Sequence, residues 1–147
     1  MRQKITVLGS FVVDLMARTP HLPAAGETVR GSRFKQGAGG KGFNQGVAAH
    51  KAGGNVSVVT KLGRDALGQV ALEAMDAVGM KKDFLFYSED VETGVALILV
   101  DEHASQNEIV VVPGAAAVIS PLLLSMVATS VLLLDQTTPS GSLLPST

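Results

Sequence analysis

Apolar residues arrive along this chain in short bursts whose spacing changes from every second residue to every third or fourth. Lys4 to Gly9 (KITVLG) is a β-branched and aliphatic run ended by Gly-Ser, as expected of a strand feeding a tight turn. Phe11 to Ala17 is apolar around a single Asp14, and the Pro and Gly residues from Thr19 to Gly26 then predict a loop between extended segments. Thr28 to Gln36 mixes Val29 and Phe34 with Arg30, Arg33 and Lys35, the pattern of a strand wetted on one side. FNQGVAAHKAGG reads as a helix ending at Gly53 and Gly54, with Lys41, Asn44 and Ala48 on one side and Phe43, Val47 and His50 on the other. Asn55 to Lys61 alternates as a strand, and Asp65 to Val78 carries Leu67, Val70, Ala71, Ala74 and Val78 at helical spacing.

Phe84 to Tyr87 is a brief strand candidate. Gly94 to Val100 and Glu108 to Val112 flank a polar loop and predict a hairpin with a longer connection. A final helix (about Pro121 to Ala128) and strand (Val131 to Leu134) complete the alternation, and 135–147 reads as an irregular tail of Ser, Thr, Pro and Gly. Alternating strands and helices predict an α/β fold with a parallel sheet. Segments 11–36 and 94–112 break the alternation and look antiparallel, so they are assigned to a small sheet projecting from the main layer. Gly94 to Val100 is apolar on both faces, which calls for burial against a ligand or another copy of the same sheet.

Composition narrows the function classes. With 46% hydrophobic and 17% charged residues, the 147-residue chain suits one globular domain. Twelve Lys plus Arg against 13 Asp plus Glu leave a net charge of -1, so no field favours nucleic acid or an anionic membrane. The absence of cysteine removes disulfides, thiolate metal sites and thiol nucleophiles, and points to a reducing cytoplasm. Ala115 to Leu134 is uncharged, but its Ser, Thr and Pro residues read as a buried helix and strand rather than a membrane span.

Gly37-Ala38-Gly39-Gly40-Lys41-Gly42 satisfies G-x-G-x-x-G by letter. A dinucleotide site would need a buried strand just before it and an acidic residue about 20 positions on; Arg33-Phe34-Lys35-Gln36 and Lys61 occupy those places. A phosphate-binding Walker loop fails too, because Gly42 follows Lys41 where Ser or Thr is required. A third reading is a glycine-rich helix start that lets a ligand approach the backbone, with Lys41 adding a cation and Asn44 a donor and an acceptor. A polyhydroxylated ligand needs that mixture; equally, the glycines can serve close packing alone with Lys41 solvated. Asp14, among Phe11, Val12, Val13 and Leu15, can accept two vicinal hydroxyl protons, or can cap a turn or pair with an arginine.

Six stretches, VLGSFVVDL, PAAGETVRG, GAGGKGFNQGVAA, KLGRDALG, ETGVALILV and IVVVPGA, resemble in order and spacing the ribokinase-like (PfkB) sugar kinases, over residues 4–134. The most specific is GGKGFNQ at 39–45. The resemblance implies a doubly wound, Rossmann-like α/β ribokinase fold, here incomplete, with a β-sheet lid from about 11–36 and 94–112 that often forms a homodimer interface. It implies sugar-hydroxyl binding at Asp14, Gly39, Gly40, Lys41 and Asn44, and apolar sugar contact at Ala96 and Val111. It further implies ATP- and Mg²⁺-dependent phosphorylation of a small-molecule sugar, ribose to ribose 5-phosphate.

The chain departs from the family pattern at several positions. Val12 stands where bacterial ribokinases often have Asn, Ala116 where the family has the Asn of PGAN, and Thr137 where a sugar-contacting Glu is expected. The N-x-x-E and G-A-G-D segments, which in the family supply the catalytic base and anion hole, match nothing in residues 1–147. No catalytic residue is therefore assigned, and the expectation is a sugar-binding half that is inactive alone. The alternative is a non-catalytic sugar-binding or self-associating module.

Overall fold

A computed structural model describes residues 4–104 and 106–117 of the chain. The elements are β1 (Lys4–Leu8), β2 (Val12–Thr19), β3 (Arg33–Gly39), α1 (Lys41–Lys51), β4 (Asn55–Gly63), α2 (Ala66–Ala77), β5 (Leu85–Ser88), β6 (Thr93–Asp101) and β7 (Asn107–Gly114), with a 3₁₀ turn at Ala115–Ala117. The helix and strand expected at 121–134, and the tail at 135–147, lie outside the described residues. Among the described residues no helix is long and apolar enough to cross a membrane.

The described residues form two sheets. The first has the order β1-β4-β5 and is wholly parallel, so each connection crosses over through a helix, α1 from the first pair and α2 from the second. The second has the order β3-β2-β6-β7. Its outer pairs, β2 with β3 and β6 with β7, are antiparallel as their local patterns predict. The central pair, β2 with β6, is parallel, from Val12 against Gly94 to Thr19 against Asp101. This corrects the wholly antiparallel reading of the two segments. Each hairpin-like pairing is local, whereas the join between them spans some eighty residues and is set by tertiary packing.

The glycine cluster is also divided differently from the expectation. The strand expected at Thr28 to Gln36 begins only at Arg33 and runs on through Gly37, Ala38 and Gly39, so half of the cluster is extended strand and only Gly40 makes the turn into α1. Gly40 has φ +97°, and a Cβ there would come within 2.5 Å of the Ser10 carbonyl, which excludes any other residue.

The core lies between the first sheet and its helices. Phe11 and Phe43 meet edge to face at 5.1 Å, and Val13, Val56, Val58, Leu62, Ala71, Met75 and Met80 complete the buried cluster. Phe43 projects from the inward side of α1 while Lys41 and Asn44 are exposed, as the helical spacing predicts. Burying each of these large side chains contributes about 1.5–3 kcal/mol. The same cluster takes in Val13 at the base of β2, so one body of packing anchors both sheets.

Candidate functional site

The second sheet aligns the residues singled out by sequence. Asp14 faces Gly37 on one side and Ala96 on the other, and Ala96 in turn faces Val111. Four strands thus contribute one straight row, Gly37, Asp14, Ala96 and Val111, and residues directly opposite in a pleated sheet project to the same face. The next row outward, Lys35, Met16, Ile98 and Ile109, extends that face with three apolar side chains and one lysine at its β3 end. The row inward, Gly39, Val12 and Gly94, places Val12 between two glycines, with its side chain buried.

Close backbone approach brings the start of α1 to this row. Gly42 sits against Gly9, where a Cβ would fall 2.6 Å from the Gly9 Cα. The Phe43 N–H donates to the Ser10 carbonyl at 3.3 Å, and the Asn44 N–H donates to the Gly40 carbonyl at 2.9 Å. These contacts seat the helix on the β1–β2 corner. Sequence reasoning gave Ser10 no role; it is the acceptor that fixes the helix start, and no side-chain pattern announces a backbone acceptor.

On the β3 side, Gly39 leaves no space between its Cα and the Asp14 carboxylate for a side chain. Asp14 therefore lies beside the segment that runs into Gly40 and Lys41. Gly40 caps α1 without a side-chain hydrogen bond, and no acidic residue occupies the first turn. The amides at Lys41 and Gly42 precede the helix's own ladder, so the positive end of the helix follows directly on Gly39, the residue that lies against the Asp14 carboxylate. Asn44 lies one turn further along α1 and is exposed.

Burial raises the Asp14 carboxyl above its ordinary value of 3.8. Asp14 sits half-buried beneath an open apolar face, and a carboxylate in such a place gains from donors that a ligand brings. Ala96 is buried and Val111 is exposed. The structure thus gathers Asp14, Gly39, Gly40 and Lys41 at one corner, sets Ala96 beside Asp14 in the sheet with Val111 one strand further on, and leaves Asn44 a turn away.

The opposite face of the same sheet is different. There Leu15, Ala17, Phe34, Leu97, Leu99 and Val110, together with Glu108, line an open and mostly apolar groove of about 450 Å³. A smaller hollow of about 210 Å³ lies where β1 and β4 begin, lined by Lys4, Thr6, Asn55, Ser57, Lys81 and Phe84, at the other end of β1 from Ser10. Among the described residues no group of three or more His, Asp or Glu is arranged to hold a metal ion.

Comparison with known proteins gives this geometry a family. Residues 2–140 match the family described as pfkB family carbohydrate kinase. The ribokinase of Bacillus subtilis is 40% identical over 119 residues, 81% of this chain and 40% of that protein. Mouse ribokinase is 39% identical over 111 residues, 76% of this chain and 34% of that protein. The structure of Arabidopsis thaliana ribokinase complexed with ribose and ATP superimposes with a TM-score of 0.69 at 32% identity, covering 78% of this chain and 37% of that one. The chain therefore spans well under half the length of these relatives. Its fold is the incomplete α/β ribokinase fold with a projecting sheet, and the chain belongs to the pfkB family of carbohydrate kinases.

Proposed function

We propose that this chain is the sugar-holding part of a ribokinase-like enzyme that phosphorylates a monosaccharide, with ribose as substrate, in the cytoplasm. The observation that carries the reading is the row Asp14, Ala96 and Val111, placed beside the glycine-lined start of α1. Asp14 accepts hydrogen bonds from two sugar hydroxyls; the backbone of Gly39 and Gly40 admits the ring closely; Lys41 and Asn44 bond to further oxygens. Ala96 and Val111 meet the less polar side of the ring. This combination of a carboxylate, amide and ammonium donors and a small apolar surface suits a polyol and suits neither a fatty nor an aromatic ligand.

ATP and Mg²⁺ are the co-substrate and metal implied by the family, and no residue among 1–147 is assigned to hold them. Phosphoryl transfer depends on positioning and charge stabilisation around the γ-phosphate. With the base and anion-hole segments unmatched, the 147 residues by themselves hold sugar without turning it over. A coupled assay with ribose and ATP tests both halves of the reading. The chain alone gives no phosphorylation, and a chain continued through a G-A-G-D segment phosphorylates ribose; failure of the longer chain on every sugar and nucleoside tried overturns the kinase assignment.

The apolar groove favours a second property, homodimerisation through the lid sheet. Leu97, Val110 and Phe34 are exposed on one face of it, 47%, 61% and 65% respectively, more apolar surface than a solitary sheet tolerates. A second copy of the sheet packed face to face covers it. Sedimentation at rising concentration reads the association, and a monomer at all concentrations contradicts it.

A further inference from the structure

The segment Gly63-Arg64-Asp65-Ala66-Leu67-Gly68 has no place in the sugar site, yet its carboxylate is used twice. Asp65 Oδ1 accepts the Gly68 N–H at 2.7 Å and so caps α2. Its Oδ2 accepts the Thr93 N–H, also at 2.7 Å, at the first residue of β6. Thr93 closes the circuit: its hydroxyl accepts the Gly63 N–H at 2.9 Å, with the residue only 4% exposed. The flanking glycines make room for this. A Cβ at Gly63 would come 2.5 Å from both Asp65 Oδ2 and the Thr93 nitrogen, and one at Gly68 would come 2.6 Å from the Gly63 carbonyl.

Capping a helix needs one acceptor, and a serine would supply it. The second oxygen goes instead to the lid, three residues before Ala96, the register partner of Asp14. The base of the lid is fastened on its far side as well, since the Ala115 N–H donates to the Glu92 carbonyl at 2.8 Å and Thr93 pairs with Gly114. Burial pushes the Asp65 carboxyl up, but the hydrogen bonds from Thr93 and Gly68 more than reverse this and leave it below its ordinary value. The group is therefore charged at neutral pH, and both of its bonds are charge-assisted.

We propose that Asp65 is a positioning residue, clamping the base of β6 to the β4–α2 corner and thereby fixing the Asp14–Ala96 row against the helix start. Its functional meaning rests on that row being the sugar site. The clamp itself does not depend on sugar.

Amide hydrogen exchange on the unliganded chain, with Asp65→Ser, Thr93→Val and Thr93→Ser, tests it. Serine at 65 keeps the cap of α2 and cannot reach Thr93. Protection at Val95 and Ala96 should fall by about tenfold or more while Ala71 to Met75 keep theirs. If Asp65→Ser does not fold, Thr93→Val serves: it strips the hydroxyl from the circuit and should loosen Gly63, Val95 and Ala96, whereas Thr93→Ser restores native protection. Unchanged protection at Val95 and Ala96 in Asp65→Ser, or in Thr93→Val together with unchanged protection at Gly63 where Asp65→Ser does not fold, overturns the clamp and leaves Asp65 a helix cap only; loss spread evenly over α2 and β6 also overturns it, since that marks a general loss of stability. Absence of ribose binding by the native chain would defeat the sugar site and leave the clamp standing.

Discussion

The Asp14 carboxylate lies directly against the Cα of Gly39, with no room for a methyl group between them. Strand β3 and strand β2 are paired at this point, Val12 opposite Gly39, so the contact is built into the register of the sheet and not into a mobile loop. Gly39→Ala forces the short Asp14 side chain to rotate away while the backbone stays in place. Losing the charge-assisted hydrogen bonds of one carboxylate corresponds to about 1.5–3 kcal/mol, so ribose affinity should weaken roughly 10- to 100-fold, with a small change in melting temperature. Isothermal calorimetry or a shift titration measures the first, and a thermal melt the second.

Asp14 should make the chain less stable than it need be. Burial raises its carboxyl in the folded state above the ordinary value that holds in the unfolded chain, so the folded chain binds the extra proton between those two values. Stability therefore falls as pH rises through that window, and the penalty persists above it. Asp14→Asn removes the penalty: the variant should melt higher than the native chain at neutral pH, converge with it in acid, and bind ribose more weakly throughout. Melts at several pH values check the sign, and a variant less stable at neutral pH contradicts it.

Phe43 holds α1 onto the sheet by its edge-to-face contact with Phe11. Truncation to alanine in a filled core costs about 3–5 kcal/mol, a large share of the roughly 5–15 kcal/mol that keeps a domain folded. Phe43→Ala is expected to lower the urea midpoint sharply or abolish the folded state, although residue 43 lies between Lys41 and Asn44, the positions proposed to bond the sugar, and is itself buried. Urea unfolding followed by circular dichroism provides the test.

Charges placed in the groove on the other face of the lid separate assembly from binding. Leu97→Lys and Val110→Glu lie opposite each other on β6 and β7, on the face turned away from Asp14. Either change should shift sedimentation towards monomer while leaving ribose affinity within a factor of about two, since exposed substitutions away from a site generally alter energies by less than 0.5 kcal/mol.

Local pattern made most of the elements legible, because amphipathic spacing and glycine stops act over a few residues. Phe43 inward and Asn44 outward followed from the helical period alone. The parallel join of β2 to β6 did not, since Val12 and Gly94 carry no local sign of each other. The boundary inside the glycine cluster was missed for a related reason: Gly37 and Gly39 read as turn residues, yet they are strand residues made small by what lies opposite them. Gly46, which by propensity merely weakens a helix, is required because a Cβ there would collide with the Val58 side chain. At the site, motif resemblance supplied the roles of Asp14, Gly39, Gly40, Lys41, Asn44, Ala96 and Val111. The structure adds that Asp14, Ala96 and Val111 share a row, and that Ser10 and Gly42 bring the helix start to it.

A titration of the isotope-labelled 147-residue chain with ribose into the tens of millimolar, read amide by amide, tests the site most directly because it detects weak binding and locates it. The account predicts shifts concentrated at Asp14, at Gly39 to Asn44 and at Ala96, all lost in Asp14→Ala. Shifts confined to the Leu15, Leu97 and Val110 face, or native-like shifts in Asp14→Ala, would contradict it.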